Sequence, residues 1–184
     1  MQARIRSLAL AALSSALFTA PTVAANGARS VAVARPDDFP AGPPWISIEL
    51  PVNPYDQSMR GAFLLVHAFH HQTPVGYVVT GTAEGIVNGE RRSLKLEFTE
   101  TSRDGVYALK RLWPEEGTWT LVITANQGPG DGATAVVDLG SDGAVAAIRV
   151  PTMQRGAWTV PAPVSLADID ASLRTRAAAL ARRS

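Results

Sequence analysis

A chain of 184 residues, 46% hydrophobic and 18% charged, has room for one domain with appendages. Its formal charge of +1 supplies no basic surface for nucleic acid. The absence of cysteine excludes disulfides, thiolate metal sites, cysteine nucleophiles and a lipid-bearing cysteine.

Residues 1–25 read as a secretory signal. Arg4 and Arg6 give a positive start, Ser7 to Ala20 an apolar core, Pro21 a break, and Val23-Ala24-Ala25 small residues at a cleavage site. The apolar run is shorter than the ~20 residues that span a bilayer. No transmembrane segment is therefore expected after cleavage, and the mature protein is expected in the periplasm or secreted. Fifteen arginines against two lysines suggest a GC-rich bacterial genome.

Residues 26–44 form an extended, proline-bearing leader. From Trp45 the chain alternates with a period of two: Ile46, Ile48 and Leu50 against Ser47 and Glu49. Gly61 to His70 is apolar on both faces, as expected of a central strand covered twice. Strands at Tyr77–Val87 and Ser93–Phe98 flank Asn88-Gly89, a hairpin signal because both residues tolerate positive φ. Further strands are predicted after Asp104-Gly105 and from Thr118, where Trp119, Leu121 and Ile123 point inward. Gln127 to Gly132 is predicted as a loop, and a last hairpin surrounds Ser141-Asp142-Gly143. About eight short strands between 45 and 150 predict an antiparallel sandwich. A connector at 151–164 leads to a helix at 165–183. Ser165 and Asp168 make its capping box, and Leu166, Ile169, Leu173, Ala177 and Leu180 its apolar stripe.

The three histidines lie in one stretch, His67-Ala68-Phe69-His70-His71. Strand alternation puts His67 and His71 on one face about 13 Å apart, too far to share a metal, and His70 on the other. His67, between Leu65 and Phe69, is expected in the core with a backbone carbonyl or a carboxylate such as Glu84 as its partner. If the strand ends near Phe69, His70 and His71 swing together. With Met59 they make a candidate metal set, and imidazole with thioether selects copper. Asp131, Asp138 and Asp142 do not match a calcium loop. No serine lies in a nucleophile elbow, and Glu115-Glu116 fall in a turn, so no catalytic residue and no cofactor is assigned. Trp45 and Trp158 fall outside the expected core and are candidates for a recognition surface or for packing under the helix.

The block from Gly61 to Gly89, followed by Gly105 to Ile123, resembles exported immunoglobulin-like sandwiches of the YtkA-like and transthyretin-like (carboxypeptidase regulatory) type. Its marks are Thr73-Pro74-Val75 after an apolar strand, Gly105-Val106-Tyr107, and Gly117-Thr118-Trp119. The resemblance spans roughly residues 45–125 and implies an immunoglobulin-like fold and an exported compartment, with no binding residue carried over. The expected function is an exported non-enzymatic module that binds a protein partner or itself, with the C-terminal helix as one route, or that supports an envelope assembly. The alternative is a periplasmic metal-binding protein of copper type that uses the histidine cluster His67, His70 and His71 with a methionine, Met59 or Met153.

Overall fold

Period-two alternation organises the chain from Trp45 onward, and the strands it creates pair antiparallel throughout. The computed structural model describes residues 42–182; the predicted signal and nearly all of the leader lie outside them. In order come β1 (Trp45–Glu49), a 3-10 turn (Gln57–Met59), β2 (Leu64–His70), β3 (Thr73–Pro74), β4 (Val78–Val87), β5 (Glu90–Lys95) and β6 (Phe98–Glu100). There follow β7 (Val106–Leu109), β8 (Thr118–Gly128), β9 (Asp131–Leu139), β10 (Val145–Arg149), β11 (Thr152–Arg155), β12 (Trp158–Pro161) and α1 (Leu166–Ala181). One sheet runs β1-β2-β7-β6, with β3 also on β2; the other runs β10-β9-β8-β4-β5. The fold is an all-β antiparallel sandwich carrying a C-terminal helix. No helix among the described residues is long and apolar enough to cross a membrane.

The two sheets enclose one core. Ile46, Leu64, Val66, Ala68, Tyr107 and Leu109 from the first meet Ala83, Trp119, Leu121, Ile123, Ala135 and Val137 from the second. β2 is covered twice, as its two apolar faces require. Its outer side, at Leu65, packs with Val106 under Met59, Val52 and Ala62 of the loop that follows β1. Asn88 and Gly89 turn the β4–β5 hairpin with φ of 52° and 81°, the two positive angles of a type I′ turn.

Three predicted segments differ. Ser93–Phe98, expected as one strand, is divided: β5 ends at Lys95 in one sheet and β6 begins at Phe98 in the other. Leu96 sits at the crossing, buried in the core, its N–H donating to the Gly81 carbonyl at 2.9 Å. Gln127–Gly132 is a tight turn rather than a loop, because β8 runs to Gly128 and β9 starts at Asp131. The connector also carries structure, since β11 and β12 pair within it.

α1 lies on the outer face of the second sheet. Ser165 caps it by accepting from the Asp168 N–H at 3.1 Å. Ile169 and Leu173 bury against Val136, Ile86 and Val122. Beside that contact, Asp138 is buried in β9 and accepts from Thr120 Oγ1 at 2.7 Å; it pairs with Arg176 at 3.1 Å and with Arg149. Arg176 also donates to the Leu139 carbonyl at 3.0 Å. Burial pushes the Arg176 guanidinium below its ordinary pKa, and Asp138 opposes that shift.

Gly85 sits opposite Trp119 in the β4–β8 pairing, and a Cβ there would lie 2.4 Å from the indole ring. Trp119 is buried and hemmed in by the core, so it cannot yield cheaply. Gly85→Ala is expected to cost about 3 kcal/mol in urea unfolding. A loss below about 0.5 kcal/mol would show that the ring moves aside freely.

Tyr107 Oη donates to the Tyr77 carbonyl at 2.6 Å, and Tyr77 Oη to Gln127 at 3.0 Å. Burial raises both phenol pKa values, with Asp131 adding to the rise at Tyr77 and Glu100 at Tyr107. The fold thus favours the protonated phenols. Their contribution is complete below the ordinary phenol pKa of 10.0 and is lost as pH rises through the higher folded values. Calorimetric melting is expected to weaken above about pH 10, and a melting temperature flat to about pH 11 would contradict this.

Candidate functional site

The strand that carries the histidines decides where each one points. On β2 the inward residues are Leu64, Val66 and Ala68, which sets His70 on the core side, where it is 2% exposed. His67 belongs to the opposite, outer face. It is half-buried and meets Glu49 of β1 at 2.8 Å, with Arg103 on the same carboxylate oxygen at 3.2 Å. The expectation is therefore reversed: His67 is not the core histidine and Glu84 is not its partner. Glu84 is held by Ser93 at 2.8 Å and Arg91 at 2.7 Å. Both faces of β2 are apolar, so hydrophobicity alone does not mark the face that meets the second sheet.

β2 ends where His70 pairs with Thr73, and His71 and Gln72 form the turn between them. Their φ values are 46° and 66°, a left-handed conformation that side-chain-bearing residues seldom adopt. This turn brings the two adjacent imidazoles into contact, with ring centroids 4.1 Å apart and planes inclined by 39°. Among the described residues His70 Nε2 has no hydrogen-bond partner. Met59 does not join them. It packs with Leu65 and Val106 behind β2, on the face away from His70.

His71 opens onto a groove of about 570 Å³, lined also by Gly42, Pro43, Trp45, Arg155, Trp158, Thr159 and Val160. Three features build it. β1 begins at Trp45, which faces away from the core because Ile46 faces in. The β11–β12 hairpin sets Arg155 opposite Trp158 across its turn. Val160 anchors that hairpin by burial, while Trp158 stays 76% exposed. The lining is mainly apolar, with Arg155 as its fixed charge and no carboxylate among its residues. Such a surface suits a ligand that offers apolar or aromatic groups together with an acidic one.

Trp45 and Trp158, singled out in the sequence, are thus brought together. Arg155 was missed: its signal was Gly156 between two short stretches able to extend, hidden in what reads as a connector. Asp131, Asp138 and Asp142 do not converge, since Asp138 is held by arginines and Asp142 receives the Ala144 N–H at 3.0 Å. No group of three or more His, Cys, Asp or Glu able to hold a metal occurs among the described residues. Compared with models of known protein families, with curated proteins and with solved structures, the chain matches none.

Proposed function

We propose that the protein is an exported, non-enzymatic binding module that recognises a protein partner of the cell envelope through the groove between Trp45 and Trp158. The observation that carries the reading is Trp158, 76% exposed on a hairpin that sets it beside Arg155. Holding a large aromatic in water forgoes a favourable burial of up to about 3 kcal/mol, and a partner that covers it recovers that term. Tryptophan and arginine are also the residue types most enriched at binding hot spots. β1 and β12 both lie at sheet edges, so an extended segment of the partner has backbone groups to pair with beside the aromatic anchors. α1 has already placed Ile169 and Leu173 on its own sheet, which favours the groove over the helix as the recognition surface. Export rests on the signal pattern of residues 1–25, and the partner is correspondingly sought in the envelope.

The test is site-specific photo-cross-linking in a bacterium that produces the protein. A benzophenone side chain at position 159, where exposed Thr159 lines the groove beside an intact Trp158, is compared with one at position 166, where Leu166 is 62% exposed on α1. The expected result is a discrete adduct from position 159, lost on Arg155→Glu and absent from position 166. Equal adducts from both positions, or none from 159, would overturn the reading.

A further inference from the structure

We propose that His70 and His71 form a two-imidazole chelate for a divalent copper ion at the head of the groove. This goes beyond partner recognition and rests on separate observations. The first is an orphaned nitrogen: His70 is 2% exposed and its Nε2 has no partner among the described residues. A buried polar atom left unpaired is destabilising, and it calls for a structural account. The second is convergence. A Cβ built on Gly42 would lie 3.0 Å from His70 Nε2 and 3.4 Å from His71 Nε2, so both nitrogens approach one point beside the Gly42 backbone. The third is the turn. His71 and Gln72 hold left-handed φ angles that side-chain-bearing residues seldom adopt, and the two rings lie 4.1 Å apart. A regular strand would send them to opposite faces.

The donor set selects the metal. The described residues supply no third His, Cys, Asp or Glu at this point, and the chain has no cysteine, so the described residues do not form a closed four-ligand zinc site. Calcium and magnesium require several oxygen ligands. Neutral imidazole nitrogens bind copper(II) ahead of the other divalent first-row ions. Met59 lies on the far side of β2 and adds no thioether to the pair. Two ligands on neighbouring rings leave the remaining positions of a tetragonal ion to water or to a donor entering the groove. His71 is exposed and lines that groove, which supplies the route of access.

The test is titration of the purified chain with copper(II) chloride at neutral pH, read by calorimetry and by electron paramagnetic resonance with its pulsed nitrogen-modulation variant. It needs no partner, so it fails or succeeds independently of the groove reading. The expected result is one equivalent of copper bound with the signature of two imidazoles. His71→Ala, at an exposed position, is expected to stay folded and to lose affinity by at least about tenfold, the loss that even outer-shell changes produce. His70→Gln reports on the buried ligand, and a matching melting curve establishes that it folds. Copper binding unchanged in both variants, a single-imidazole spectrum in the wild type, or no binding would each overturn the proposal.

Discussion

Trp158→Ala is expected to leave the protein as stable as the wild type while lowering its affinity for the cross-linked partner about 30-fold or more. Trp158 buries little in the isolated chain, so its loss falls within the roughly 0.5 kcal/mol typical of surface substitutions. Affinity behaves differently, because truncating a central aromatic anchor costs about 2 kcal/mol or more, and 1.4 kcal/mol is tenfold. Calorimetric titration of the partner into both proteins measures the difference. Affinity within about twofold of wild type would remove Trp158 from the recognition surface.

Asp138→Ala is expected to have the largest effect on stability of any polar substitution, a loss of about 3 kcal/mol. The carboxylate is buried and serves Thr120, Arg149 and Arg176 at once. Removing it leaves the Arg176 charge under α1 without its counter-ion, in surroundings that already lower its pKa. The second half of α1 should loosen first, because Arg176 ties it to β8 and β9 through the carbonyls of Trp119 and Leu139. Urea unfolding gives the loss, and amide exchange along residues 173–181 locates it. Asp138→Asn, which keeps the shape but not the charge, should fall between the two. A loss below about 0.5 kcal/mol with unchanged exchange in α1 would mean that Ile169 and Leu173 hold the helix unaided.

The sequence exposes the sandwich because its long strands alternate cleanly. Trp119, Leu121 and Ile123 were expected inward and lie in the core. Asn88-Gly89 was expected to turn a hairpin and does so through its positive φ angles. Local pattern fails where two faces are equally apolar or where a strand changes sheet. Leu94, Leu96 and Phe98 alternate as one strand would, yet the chain crosses between sheets after Lys95. β2 is apolar on both sides, so His67 and His70 exchange their expected places. The groove was only half legible. Its tryptophans stood out by composition, whereas Arg155 and the approach of Gly42 to the histidines arise from contacts distant in sequence.

The claim that the Trp45–Trp158 groove is the recognition surface is tested most directly by nuclear magnetic resonance of the four tryptophan indole N–H groups. Trp113 and Trp119 are buried and act as internal references, while Trp45 and Trp158 line the groove. On titration with the cross-linked partner, the Trp45 and Trp158 indole signals are predicted to shift together and saturably, with those of Trp113 and Trp119 unmoved. Binding that leaves the Trp45 and Trp158 signals in place would contradict the account.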